Sequence, residues 1–412
     1  MKKIAIIGAG ISGLASAFFL RNKFDVTIFE KEDYLAGMAS SFELPDKAPD
    51  GSYQSITNTY HHILDKDDET VALIKELGLG EKLKFKKIKT GFFYQGKIWP
   101  FAKASEILRF PLPLSDKFKL AKFMLRVPKD YGNKNAEEWL IEKLGQNVYN
   151  IMFKKLMENK FHKQPKDISA SWVATRLEKE SASARKKFGY LSGGLKNFTD
   201  KLAKESKARI LLSTEVRNIS KVDKKYRISF INKKNVSNTE EFDIVLNTIS
   251  PTEFNMINSD FKIKEVDYLS CACAIFFTDT LVSDCYWINI LDDMPFSVIF
   301  VQNNLYEGLS NNIIYVLKYF ERGKDNLAGD SDIARIYLEG IKKIIPDFNV
   351  LYSKVYRVPF AEAIYYPDFE NMKDRIDNVY FTGIYKFYPM IRNMNSCISE
   401  AKRIANLIKG EK

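Results

Sequence analysis

The stretch KIAIIGAGISGLASAFFLRNKFDVTIFEK, residues 3–31, restricts the chain to a narrow set of folds. A short apolar run predicts a buried strand, and Gly8, Gly10 and Gly13 follow in GxGxxG spacing. An apolar helix comes next, then a second strand ending in Glu30. Each part has a physical task. Gly8 permits a tight turn, Gly10 lets the main chain approach a pyrophosphate, and Gly13 lets helix and strand pack closely. The helix begins at Ile11 and Ser12, and its free N–H groups face the phosphates. Glu30, with Lys31 beside it, ends the second strand where a carboxylate accepts hydrogen bonds from both ribose hydroxyls. Its negative charge disfavours a 2′-phosphate, so the dinucleotide is FAD or NAD rather than NADP. The order and spacing agree throughout, and they predict an α/β chain with a Rossmann-type domain.

With 412 residues, 45% of them hydrophobic, the chain is long enough for two domains and a large core. No apolar run reaches the roughly 20 residues of a membrane span, and glycines break the N-terminal one, so the expectation is a cytoplasmic protein without an integral membrane segment. Cys271, Cys273, Cys285 and Cys397 have neither zinc spacing nor the pattern of a disulfide framework. Cys271 and Cys273 alternate in an apolar segment, as buried strand positions do. The formal charge of +11 comes from dispersed lysines and arginines, without a basic tail or nucleic-acid motif. The partner expected is a small molecule, with an anionic one left open, and no nucleic acid.

NTYHHILD holds His61 and His62, two of only three histidines. Neighbouring side chains diverge on a strand or helix, and no further Cys or His lies at helix or hairpin spacing, so a metal pair is set aside. An acid/base role and a packing role remain level.

Further along, DKDDETVALIKELGLGEKLKF reads as an amphipathic helix closed by Gly78 and Gly80, and TGFFYQGKIWPF as a hairpin around Gln95 and Gly96. From Ala104 to about Arg185 the pattern is mostly helical, interrupted at Pro111 and Pro113. YLSGGLKNFTDKLAKES follows as a glycine turn and helix. ARILLSTEVRNISKVDKKYRISFI and EEFDIVLNTISP read as strands, the second ending in an apolar run suited to a buried parallel strand. The tail DNVYFTGIYKFYPMIRNMNSCISEAKRIANLI is strand, glycine, irregular loop and helix.

In this order GAGISGL with Glu30, KEDYLAGMASSFEL, YHHILDKDDETVALIKELGLGEKL, KDISASWVATRLE, GYLSGGLKNFTDKLA, TEVRNI, FDIVLNTISP and YFTGIYKFYP resemble the FAD-dependent amine oxidoreductase superfamily. The likeness covers almost the whole chain. It is greatest to the protoporphyrinogen-oxidase-like members and more distant to UDP-galactopyranose mutase. It implies non-covalent FAD, with Gly37, Met38 and Ala39 in a second turn along the pyrophosphate. Val216 would meet the adenine through its backbone, and Gly383 the ribityl-phosphate end. Two departures stand out: Ala36 replaces a glycine, and Met38 an arginine or leucine. Ser40 and Ser41 are then alternative hydrogen-bond donors.

The resemblance also implies a discontinuous FAD-binding domain, residues 1–85, 187–265 and 366–412, and an α+β substrate domain, residues 86–186 and 266–365. It places His61 or His62 beside flavin N5. Tyr385, Lys386, Tyr388 and Arg392, in and after YKFYPM, would suit an anionic or sugar-nucleotide ligand. Asn395, at the start of the last helix, would sit near the flavin N1–O2 edge. Arg176 shares a helix face with Trp172 and is a candidate substrate contact. The implied activity is hydride transfer between flavin N5 and a polar or glycan-linked substrate. A flavin-dependent sugar-nucleotide isomerase and a non-catalytic flavin-binding subunit are the alternatives.

Overall fold

The computed structural model describes residues 1–47, 53–161, 163–181, 187–323 and 329–410; the expected end of the helical stretch at Arg185 lies outside them. Strand Lys3–Ile7, buried from Ile4 onward, pairs in parallel with Asp25–Phe29 on one side and Ile244–Asn247 on the other. Arg209–Leu211 and Val379–Phe381 extend the sheet in parallel, and Arg375–Ile376 closes it as an antiparallel edge. Helix Ile11–Leu20 is apolar nearly all round because both its flanks are covered. It lies on this sheet and packs against helices Lys196–Glu205 and Met394–Gly410. On the opposite face, Phe29, Val216 and Phe230 belong to the core beneath a three-stranded antiparallel sheet, Thr214–Val222, Lys225–Asn232 and Ser237–Phe242.

A seven-stranded sheet forms the second layer, in the order Tyr352–Ala363, Tyr268–Thr278, Asn312–Glu321, Val298–Val301, Trp287–Ile290, Thr90–Tyr94 and Lys97–Pro100. Strand Tyr268–Thr278, second in that order, is buried along all 11 residues. Cys271, Cys273 and Ile275 face one core and Ala272, Ala274 and Phe276 the other, the alternation that a two-sided strand requires. Helix Asp330–Ile344 covers the second core. The first lies under helices Leu114–Leu125, Ala136–Leu144, Lys155–Phe161 and Ala170–Ser181, with a π-helical turn at Tyr149–Lys154. Leu44 and Ile56 join that core although they come early in the chain.

One segment crosses between the layers. Strands Ser41–Lys47 and Tyr53–Thr57 form a hairpin, the chain passes irregularly through residues 58–62, and Ile63–Leu64 then pairs with Phe188–Leu191. Tyr315 Oη donates to the Thr57 carbonyl at 2.7 Å and fixes the crossing to the seven-stranded sheet. Among the described residues, no helix is long and apolar enough to cross a membrane.

Candidate active site

The crossing segment roofs a cavity of ≈ 440 Å³. Gly8, Gly10, Glu30 and Gly37 line it at the carboxyl ends of the parallel strands. His61, His62, Cys271, Tyr319 and Arg392 line it beside the seven-stranded sheet. A crevice beyond the carboxyl ends of parallel strands is where open α/β sheets place ligands.

At the parallel-sheet end, Gly8 has φ +102°, a conformation that favours glycine. A Cβ on Gly13 would stand 2.0 Å from the Gly8 carbonyl oxygen, whereas one on Gly10 would meet nothing within 4 Å. Gly13 is thus needed for packing, and Gly10 opens toward the cavity. Ile11 and Ser12 line the wall beside it. Glu30 accepts from the Ala9 N–H at 2.7 Å and the Glu32 N–H at 3.0 Å. Burial raises its pKa, and these two N–H groups oppose the rise. Lys31, also on the wall, is ion-paired to Glu253 at 2.9 Å. Ala36, where a glycine was expected, adopts φ +74° all the same, and its N–H donates to the Ala9 carbonyl at 2.9 Å. That bond ties the second turn to the first, with Gly37, Met38 and Ala39 facing the cavity. Ser40 and Ser41 do not face it. The Ser40 hydroxyl accepts from the Asn58 amide at 2.9 Å, so it holds the crossing segment.

At the other end both His61 and His62 line the wall. His61 Nδ1 lies 3.0 Å from the Thr59 carbonyl, and His62 Nδ1 lies 3.3 Å from Tyr286 Oη among Phe188 and Trp287. Enclosure by protein lowers the His61 pKa from 6.5 to about 4, with Arg392 adding to the fall against the Thr59 hydrogen bond. Burial and then His61 take His62 to about 3. Both rings are therefore neutral near pH 7.

Arg392 and Arg176 converge on Glu362, a carboxylate 3% exposed. Their nitrogens lie 3.5 and 3.8 Å from its Oε2, and Lys160 Nζ lies 3.6 Å away. Burial alone would raise the Glu362 pKa, but Arg392, Lys160 and Arg176 outweigh it and hold the carboxyl below its usual value. Arg392 also donates to Tyr319 Oη at 3.3 Å. Trp172, expected on the Arg176 face, is buried against Phe161 and Tyr365. Tyr60 stacks on Phe300 with ring centroids 3.8 Å apart and shares the cavity wall with Arg176 and Tyr319. Sequence reading did not single out Tyr60, Lys160, Tyr319 or Glu362, since none belongs to a motif; only the place of Tyr60 beside the histidines offered a signal.

The tail loop divides. Gly383 lines the cavity with φ +144°, and buried Tyr385 lines it while its hydroxyl accepts from the Asn247 amide at 3.2 Å. Lys386 and Tyr388 are not on the wall. Lys386 is buried, ion-paired to Asp374 at 2.9 Å and donating to the Met372 and Lys373 carbonyls. The Tyr388 hydroxyl bonds to Ser169 at 2.9 Å and Ser171 at 2.7 Å, joining the loop to helix Ala170–Ser181. Asn395 Oδ1 accepts from the Thr70 N–H at 3.0 Å, within helix Asp68–Glu76, and does not reach the cavity. Val216 is buried under the three-stranded sheet, likewise off the wall.

A parallel-sheet crevice with a glycine turn, a strand-end acid and a long cavity defines a dinucleotide-dependent protein. The chain belongs to the flavin-containing amine oxidoreductase family, whose model matches residues 11–409, and membership of that family implies FAD. Its mixed α/β fold is similar over the full length to a provisionally named protoporphyrinogen oxidase from Exiguobacterium sp. 255-15, with TM-score 0.78, 17% identity, and coverage of 100% of this chain and 99% of that one. It is also similar to a putrescine oxidase bound to putrescine (TM-score 0.73, 13% identity, 100% and 99% covered). A reduced UDP-galactopyranose mutase gives TM-score 0.74 at 14% identity, with 100% and 94% covered. At these identities the likeness is one of fold. An uncharacterised protein of Methanocaldococcus jannaschii is 25% identical over 262 residues, 62% of this chain and 60% of that protein, so less than two thirds of the relative is spanned. A match of 45 residues at 51% identity, to a 1-hydroxycarotenoid 3,4-desaturase of Flavobacterium sp. P99-3, covers 11% of this chain and 9% of that enzyme.

Proposed function

We propose that the chain holds FAD without a covalent bond in the ≈ 440 Å³ cavity and transfers a hydride between the flavin and a polar small molecule. The observation that carries this reading is the continuity of the cavity from Glu30 past Gly10 and Gly37 to His61, His62 and Arg392. Glu30 would accept from the ribose hydroxyls. Gly8, Gly10, Ile11, Ser12 and Gly37 to Ala39 would meet the pyrophosphate with main-chain atoms and the helix N-terminus. Lys31 and Gly383 complete the holding set. The bound flavin supplies the hydride acceptor and donor. Neutral His61 and His62 each offer one N–H donor and one acceptor nitrogen, and the aromatic wall of Tyr60 and Trp287 excludes water.

Non-covalent binding is supported by the cysteines on the wall. Burial pushes the Cys397 thiol up to about 11 and the Cys271 thiol up to about 12, so neither is a thiolate near neutrality. All four cysteines are free and buried, which supports a reducing, cytoplasmic setting. We assign residues 1–85, 187–265 and 366–412 to a Rossmann-type FAD-binding domain, and residues 86–186 and 266–365 to an α+β substrate domain. The cores on the two faces of the parallel sheet draw only on the first set and the core under helix Asp330–Ile344 only on the second, which supports that division. Leu44, Ile56 and Tyr385 of the first set join the core under the helical layer.

The test is direct. Purified protein should be yellow and release FAD on heating or in acid. Glu30→Ala should weaken FAD binding by about 1.5–3 kcal/mol, as for hydrogen bonds to a charged group. Protein mixed with excess FAD that stays colourless and gives no calorimetric signal would overturn the assignment.

A further inference from the structure

A surface helix ordinarily turns polar side chains outward. Helix Leu114–Leu125 does not. Its inner face buries Leu120 and Phe123, while Leu114, Phe118, Ala121 and Leu125 fall at helical spacing along the outer face and are all exposed. Leu108, in the preceding helix Ala104–Arg109, is held beside it, because its carbonyl accepts from Lys117 Nζ at 2.7 Å. Leu108, Leu114, Phe118 and Leu125 are from 59% to 75% exposed. Exposed apolar residues are normally scattered singly. Among the described residues, no other stretch of that length holds more than two large ones.

The surroundings of the stripe are basic. Lys103, Arg109, Lys119, Lys122 and Arg126 are exposed. The two acids of the same stretch are taken up by hydrogen bonds: Glu106 accepts from the Ala102 and Lys103 N–H groups at 2.9 Å, and buried Asp116 accepts from the Asn147 amide at 2.6 Å and from Lys119 at 3.4 Å. Leucine and phenylalanine flanked by lysine and arginine suit the plane where acyl chains meet headgroups. The apolar side chains leave water there, and the cations stay beside lipid phosphates. A second copy of the chain seated on the same face would instead set these cations against their own kind. The inner face adds to the argument. Leu120, Phe123 and Met124 line a second cavity of ≈ 200 Å³, which shares Tyr60 and Trp287 with the large one. A bilayer on the outer face would lie one helix away from an apolar chamber beside the candidate site.

We propose that the chain docks on the surface of an anionic bilayer through Leu108 and helix Leu114–Leu125, lying on the membrane without crossing it. This docking is independent of what fills the large cavity.

The experiment is flotation of the FAD-loaded full chain with vesicles of phosphatidylcholine alone, or of phosphatidylcholine mixed with an equal amount of phosphatidylglycerol. The protein should float with the mixed vesicles, bind pure phosphatidylcholine about tenfold more weakly or less, and lose affinity as salt is added. Phe118→Ser should weaken binding about tenfold or more, with melting and FAD per chain unchanged, since the side chain is exposed. Lys122→Gln and Arg126→Gln should each weaken it roughly fivefold. Met256→Ser, an equally exposed apolar position elsewhere, should leave binding as it was. Protein that fails to float with either vesicle overturns the proposal, and so does flotation insensitive to Phe118→Ser. Absence of flotation together with a dimer that Phe118→Ser dissociates in sedimentation equilibrium would give the face to a second copy instead.

Discussion

Gly10 and Gly13 stand three positions apart and answer to different constraints. Gly13→Ala forces a Cβ against the Gly8 carbonyl and should destabilise the FAD-free protein by about 1–3 kcal/mol or more. Gly10→Ala meets open space, so the FAD-free protein should melt unchanged while its affinity for FAD falls. Melting curves with and without FAD check both; equal destabilisation by both changes would mean that Gly10 has a packing role as well. His61 and His62 predict a pH dependence. Their folded pKa values, about 4 and 3, lie below the 6.5 of a free histidine. Below pH 6.5 the unfolded chain takes up protons that the folded chain refuses. Stability is therefore intact above pH 6.5 and should fall as pH drops toward 4, by up to about 1.4 kcal/mol per unit for each ring. A His62→Gln variant should show a shallower fall in urea denaturation across that range. The glycines were legible in sequence because the turn they make is local. The grouping of Lys160, Arg176, Glu362 and Arg392 was not, because only the tertiary fold brings it together. Lys386 was misplaced for the same reason: its partner Asp374 belongs to another turn of the chain.

Two asparagines join two helices. Asn393 Oδ1 accepts from the Ser396 N–H at 2.8 Å, capping helix Met394–Gly410, while its amide donates to Asp67 at 3.3 Å, just before helix Asp68–Glu76. Asn395 Oδ1 accepts from Thr70 within that second helix. Each →Ala change should cost about 1 kcal/mol. Because both bind the same pair of elements, the double variant should depart from additivity by about 0.5 kcal/mol or more. A strictly additive double variant in urea titrations would mean that the two caps act independently. Sequence showed where the last helix begins but not which neighbour its asparagines would serve. Elements with a strong local code were clearer. Gln95 and Gly96 both take positive φ between the paired strands, as a tight hairpin needs, and Cys271 and Cys273 fall on one face of a strand. The π-helical turn at Tyr149–Lys154 had no such code, since nothing in YNIMFK separates it from ordinary helix.

At the scale of the whole molecule, the alternation of strand and helix signals made an α/β fold legible, and composition made it a large one. The order of strands was not, because parallel neighbours are drawn from distant parts of the chain. That order has a consequence for synthesis. The Lys3 N–H bonds to an Asp243 carboxylate 240 positions later, and Ile244–Asn247 is flanked in turn by Val379–Phe381. At roughly 5–20 residues per second, the ribosome leaves the first strand without that partner for roughly ten to fifty seconds. The far edge of Ile244–Asn247 then stays open to other chains until Val379–Phe381 emerges. A chain stalled near residue 370 should be protease-sensitive and prone to pelleting, whereas one released after helix Met394–Gly410 should resist digestion. The sheet that lines the cavity is therefore completed only once Val379–Phe381 has been made, and loading of any ligand there waits on that strand.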